Sequence, residues 1–168
     1  MRAQCDDREA IEHLLRRTQS WLRRYLVSWV GPSDADDVLQ EVLVLVYRKL
    51  PWLEAPELYR PWVLRIASRA GMRYLERTRR WRDHERSDEA LAAIPSAVGE
   101  PNATAVQELL GSVPLSPLSL QVLVLHFQEE LTLPEIAAIL AVPLGTVKSR
   151  LAYGLASLRD AHAKKEIP

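Results

Sequence analysis

Apolar residues recur at three- and four-residue spacing along nearly the whole chain, and no stretch sustains the strict alternation of a strand. This pattern predicts an all-α protein. A first helix is expected from about Asp7 to Trp29, with Ile11, Leu14, Leu15, Leu22, Leu26 and Trp29 available for a core. Gly31-Pro32 ends it. Ser33 then caps a second helix, Asp36 three residues on completes a capping-box-like start, and Pro51 stops the helix near Leu50. Pro51 to Arg60 reads as a loop that carries Trp52, Leu53 and Tyr59 in a short space. Pro61 suits the first turn of a third helix reaching about Arg82, with Trp62, Ile66, Ala70 and Tyr74 at helical spacing. Trp62 belongs to the core in this reading.

Beyond His84 the sequence turns small, acidic and rich in breakers: Asp88, Glu89, Pro95, Ser96, Gly99, Glu100, Pro101. A flexible linker is expected here, over 84–103, between a domain at 1–83 and a second at 104–168. The second domain reads as four short helices, at about 104–112, 117–128, 133–140 and 144–163. Ser116-Pro117 opens the second of them. Thr132-Leu133-Pro134-Glu135 opens the third with a capping box and a proline in the first turn.

Composition bounds the class without deciding it. With 168 residues, 48% hydrophobic and 26% charged, the chain is globular in type. No apolar run approaches the roughly 20 residues of a membrane span, and the charged N-terminus has no signal-like core. The single cysteine, Cys5, forms neither an internal disulfide nor a cysteine-rich metal site, which fits a reducing cytoplasm. The four histidines are scattered, and neither a nucleophile motif nor a glycine-rich phosphate loop is present, so an enzyme is not expected. No cofactor is called for.

Net charge is zero, yet its distribution is uneven. Residues 60–86 hold 9 of the 22 basic side chains against only Glu76, Asp83 and Glu85. Such an excess on one helix is a candidate phosphate-tracking surface, with a solvated face as the plainer alternative. In the last two helices, Ile136, Ala137 and Leu140 make one apolar face and Ala141-Val142-Pro143 makes a tight turn. Val147, Leu151, Leu155 and Leu158 make a core stripe on the second helix. Thr146, Lys148, Ser149, Arg150 and Tyr153 are left near its solvent side. A helix with polar and basic groups at its N-terminal end suits the major groove, but a plain helical hairpin has the same spacing. On the second helix, Asp37, Gln40, Glu41 and Arg48 share one face, while Val38, Val42, Leu45 and Val46 turn to the core. No histidine accompanies the carboxylates, which argues against a metal site.

Three strings carry a resemblance to a known family. Leu131-Thr132-Leu133-Pro134-Glu135-Ile136-Ala137 with Leu144-Gly145-Thr146-Val147-Lys148-Ser149-Arg150-Leu151 closely resembles the fourth region of bacterial sigma factors. In that family this helix-turn-helix binds the minus-thirty-five promoter element; the resemblance assigns Thr146, Lys148, Ser149 and Arg150 to that contact, with Tyr153 beside them. Asp34-Ala35-Asp36-Asp37-Val38-Leu39-Gln40-Glu41-Val42 is similar to the segment that docks on core RNA polymerase. That implies a docking face of Asp37, Gln40, Glu41 and Arg48. Pro61-Trp62-Val63-Leu64-Arg65-Ile66-Ala67, continuing to Arg80, is similar to the helix that engages the minus-ten element, and the loop before it captures a flipped base. An unstacked base needs an apolar pocket and the separated strand needs positive charge. Trp52, Leu53 and Tyr59 are therefore expected to line the pocket. Arg65, Arg69, Arg73, Arg77 and Arg80 are expected to track phosphates, although not all facing one way. Two domains with no third region between them place the resemblance closest to the extracytoplasmic-function (ECF) group, whose members are commonly held by an anti-sigma factor.

The sequence also departs from the family. After Leu151 it reads Ala152-Tyr153-Gly154-Leu155, without the usual basic residues, which implies weaker binding and a shallower salt dependence. Gly154 inside the helix costs about 1 kcal/mol relative to alanine. Leu115 to Leu125 has Ser, Leu and Gln where relatives often carry charge. Two other readings stand beside the sigma reading: a sigma-like interaction module that does not initiate transcription, and a dimeric helix-turn-helix repressor, which leaves the first 83 residues unexplained.

Overall fold

A computed structural model describes residues 8–88 and 115–165. Described residues form helices and turns only. These are α1 (Arg8–Val27), α2 (Pro32–Lys49), α3 (Tyr59–Asp88), α4 (Pro117–Leu123), α5 (Leu133–Leu140) and α6 (Leu144–Lys165). Short 3-10 turns at Leu50–Trp52 and Pro56–Leu58 bridge α2 to α3, and a π-turn at Val124–Gln128 continues α4. The helix expected at 104–112 lies outside the described residues. No single described helix is long and apolar enough to cross a membrane.

Local chemistry accounts for most of the boundaries. Proline stands in the first turn of α2, α4 and α5, where its missing N–H leaves no bond unmade. At α5 the Glu135 carboxylate accepts the Thr132 backbone N–H at 2.8 Å and the Thr132 hydroxyl at 2.5 Å, the expected capping box. Hydrogen bonding to its charged form holds that carboxyl below the usual range.

The expected start of α2 needs correction. Ser33 is not the cap: Gly31 holds that place at φ 105°, a conformation glycine adopts freely, and Pro32 follows it. Asp36 is accordingly not part of a capping box. It accepts from Arg23 Nε at 2.8 Å and Nη2 at 3.2 Å, so it ties α2 to α1. At the other end, α3 runs through Asp88, so residues 84–88, expected in the linker, are helical.

Helices α1, α2 and α3 pack around Leu22, Leu26, Val38, Val42, Val46, Val63, Leu64 and Ala67. At the far end, Leu50 and Leu53 pack against Ile11, Leu14, Tyr59 and Trp62, so the half-buried Trp62 lies against the core. Gly71 marks the closest approach, since a Cβ there would lie 2.5 Å from Cη2 of Trp29.

In the C-terminal part, Val122, Leu123, Val124, Leu125, Ile136, Ile139 and Val147 are buried together. Leu151 and Leu158 pack against them, but Leu155, expected in this stripe, is 37% exposed. Gly154 takes the buried place instead, with a would-be Cβ 2.8 Å from Cδ1 of Leu123. The apparent weak point in α6 is therefore where α4 crosses it.

Both parts contribute to one continuous core. Tyr25 of α1 is fully buried, its hydroxyl 2.9 Å from Ser68 Oγ and 3.5 Å from Gln121 Nε2 of α4. Burial pushes that phenol far above its ordinary range. Ser28 donates to Gln128 Oε1 at 2.8 Å, and Arg60 pairs with Glu129 at 2.5 Å.

Candidate nucleic-acid and polymerase interfaces

Three surfaces receive the residues singled out from the sequence. The first is the outer face of α2. Asp37, Gln40, Glu41 and Arg48 are all exposed there, and at 100° per residue they fall within roughly a third of the helix circumference. Val44, 50% exposed, stands in the middle of that arc, and Tyr47, 55% exposed, at its edge. Neither was expected. Val44 was detectable, since it is four residues from both Gln40 and Arg48; its apolar character suggested burial instead. The face is thus an apolar centre ringed by hydrogen-bonding and charged groups, the composition of a protein-binding surface. Glu41 accepts from Arg73 Nη2 of α3 at 3.1 Å, and Tyr74 of α3 donates to Asp34 at 3.0 Å. These bonds tie α2 to the basic helix α3.

The second surface is the basic side of α3. Arg65, Arg69, Arg73, Arg77 and Arg80 are all exposed. Spacings of four, four, four and three residues fan the five over about 120° of the helix, so they share one side without all facing one way. The buried residues Val63, Leu64, Ala67 and Ser68 occupy the other side. Arg77 lies over the Tyr74 ring at 5.4 Å, and Arg73, Glu76, Arg77 and Arg80 line a shallow open groove.

Beside the start of α3, the three residues expected to line a base pocket separate. Trp52 is 75% exposed on its 3-10 turn and able to stack. Leu53 is only 6% exposed and belongs to the Leu50 core, so it does not line an open pocket. Tyr59 is also largely withdrawn: its hydroxyl lies 2.7 Å from Thr18 Oγ1, and burial raises its pKa. Leu58, 54% exposed, is the apolar residue that accompanies Trp52 at the surface. The cause is the turn Pro56–Leu58, which rotates Tyr59 inward as the first residue of α3.

The third surface is the N-terminal half of α6. Helices α5 and α6 meet at 110°, within the range of helix-turn-helix units. Ala141 makes the turn in the left-handed region, φ 55° and ψ 46°. Lys148, Ser149 and Tyr153 are exposed, while Thr146 and Arg150 are half-buried at the edge. The Ser149 hydroxyl donates to the Thr146 carbonyl at 3.0 Å. Only two cations stand on this half of α6, against the five arginines on the basic side of α3. The structure places the stronger positive field on α3.

Residues 10–82 match sigma-70 region 2, and residues 114–160 match sigma-70 region 4. The chain is 27% identical over 162 residues to the ECF RNA polymerase sigma-E factor of Escherichia coli K12, covering 89% of this chain and 85% of that one. It is 28% identical over 160 residues to the RNA polymerase sigma-E factor of Streptomyces avermitilis, covering 93% and 86%. Among solved structures it is similar to the sigma factor RpoE from Bartonella quintana in complex with the anti-sigma factor NepR. That match has a TM-score of 0.71 and 18% identity, over 92% of this chain and 98% of that one. It is also similar to CnrH in complex with the cytosolic domain of CnrY, with a TM-score of 0.64 and 25% identity over 98% and 94%. Region 2 with its exposed α2 face and basic α3, followed by a region 4 helix-turn-helix, makes this chain a sigma-70 family protein of the ECF group.

Proposed function

We propose that this sigma factor docks on core RNA polymerase through α2, opens and reads the minus-ten element with α3 and Trp52, and reads the minus-thirty-five element with α6. The observation that carries this reading is the division of labour on the region 2 unit. One helix offers a mixed apolar and charged face suited to a protein helix. The next offers five arginines on one side, suited to phosphates, with an exposed indole beside its start. In this assignment Asp37, Gln40, Val44 and Arg48 meet the polymerase, and Glu41 serves both faces by orienting Arg73.

Control by an anti-sigma factor follows from the similar structures, both of which are complexes; RpoE's named partner is an anti-sigma factor. A cytoplasmic site of action follows from the polymerase as partner.

The test is binding of the purified chain to core enzyme. Asp37→Ala with Glu41→Ala removes charge-assisted contacts of about 1.5–3 kcal/mol each, so the complex is expected to weaken at least tenfold. Absence of any complex with the wild-type chain would sink the proposal.

A further inference from the structure

Asp34 and Tyr74 belong to none of the three recognition surfaces, yet they connect two of them. Asp34 of α2 accepts from the Tyr74 hydroxyl of α3 at 3.0 Å. The Arg77 guanidinium lies over the Tyr74 ring, 5.4 Å from its centroid, where a cation is drawn to an aromatic face. One turn back, Arg73 donates to Glu41 of α2 at 3.1 Å. Burial and the carboxylates of Asp34 and Asp37 raise the Tyr74 pKa, so the phenol stays protonated and remains the donor. A phenol that donates to a carboxylate gains electron density, which deepens the attraction of its ring for a cation. Asp34 thus bears on Arg77 through the ring.

Arg73, Arg77 and Arg80 line one shallow groove together with Glu76. At about 100° and about 1.5 Å per residue, the three arginines fall within about 60° of one another and span about 10 Å of helix. Long side chains left to solvent sample many rotamers, and ordering each of them on binding costs affinity. Two of the three are already held from α2, Arg73 by Glu41 directly and Arg77 by the ring that Asp34 fixes. Groups arranged beforehand lose less when the ligand arrives. Three cations over one groove call for an anion, and the planar fork of a guanidinium matches phosphate oxygens. We propose that Asp34 and Tyr74 are positioning residues for promoter binding: Asp34 fixes the Tyr74 phenol, and the Tyr74 ring holds Arg77 beside Arg73 and Arg80 to take one backbone phosphodiester. This rests on the minus-ten assignment proposed above. Arg77 lies about 27 Å along α3 from Tyr59 and the Trp52 turn beside it. Groove and indole therefore address backbone positions several nucleotides apart.

Methylphosphonate replaces one charged phosphate oxygen by a methyl and so neutralises a single linkage at a time. Holoenzyme assembled from the full chain and excess core enzyme is titrated with promoter DNA carrying one such linkage, scanned along the minus-ten backbone. The wild-type chain is expected to lose about two- to fivefold in affinity at one or two linkages that Arg77→Ala no longer senses. Asp34→Ala and Tyr74→Phe should each reduce that loss by about half or more at the same linkages, and together no further than either alone. Asp34→Asn, whose side-chain carbonyl can still accept the phenol, should keep it. Linkages facing Arg65 and Arg69 should respond in every variant as in the wild type, which a misfolded chain would not do. Asp34→Ala and Tyr74→Phe chains that keep the full loss at the Arg77-dependent linkages, or that blunt every linkage equally, would overturn the relay. So would an Arg77→Ala chain whose profile matches the wild type. A wild-type holoenzyme indifferent to methylphosphonate at every linkage would instead remove the minus-ten assignment itself, and the relay with it.

Discussion

Replacing Gly71 with alanine sets two opposed effects against each other, and the structure decides their sign. Intrinsic propensity favours the change, since glycine inside a helix costs about 1 kcal/mol relative to alanine. The added methyl, however, would lie 2.5 Å from Cη2 and 2.8 Å from Cζ2 of Trp29 and 3.2 Å from Cγ2 of Val30. Carbon atoms pack best at about 3.5–4.0 Å, so the indole must retreat by roughly 1 Å. Trp29 is 3% exposed and packs at 5.8 Å against the fully buried Tyr25, so it has nowhere to go without moving α1. Overpacking of a filled core costs about 1–3 kcal/mol, and this contact belongs at the upper end. The net expectation is a loss of up to about 2 kcal/mol after the propensity gain is subtracted. Urea denaturation followed by circular dichroism measures it. Trp29→Phe removes both atoms nearest the new methyl, so in that background Gly71→Ala should become neutral or stabilising. A stability gain of about 1 kcal/mol in the wild-type background, equal to that in Trp29→Phe, would refute the reasoning.

Two further outcomes follow from surface chemistry. Asp36 and Glu135 both have carboxyls held below their ordinary range, by Arg23 and by Thr132 respectively. Because the folded values are depressed, the stabilisation is present above the ordinary carboxyl range and is lost as pH falls through the folded values. Asp36→Asn with Glu135→Gln should flatten stability against pH in that acidic window, read from denaturation midpoints. Lys148→Ala, on the exposed front of α6, should weaken promoter binding at all sequences alike and reduce the slope of log affinity against log salt by about 1. A sequence-selective loss with an unchanged slope would show that Lys148 reads bases instead.

Helix identity and position were written locally. The capping box at Thr132 and Glu135, the prolines that open α4 and α5, and the three- and four-residue apolar spacing act within a turn or two of chain. They needed no tertiary context, and the same holds for the family signature in α5 and α6. The basic stripe on α3 was equally legible once the spacings were converted to angles.

Side chains that could serve either core or surface were decided only by packing. Leu53 and Tyr59 went inward because the 3-10 turns rotate them onto Leu50 and Thr18, while Trp52 and Val44 stayed out. Gly154 changed from a local defect to a crossing point because Leu123, distant in sequence, lies against it. The same reason hid the pairing of Tyr25, Ser28 and Arg60 with Gln121, Gln128 and Glu129, which are separated by 96, 100 and 69 residues. No periodicity encodes such pairs. Local preferences determined which helices form and which faces carry charge; only the closed tertiary structure determined which polar groups meet across the two parts, because that depends on how separate helices pack in space.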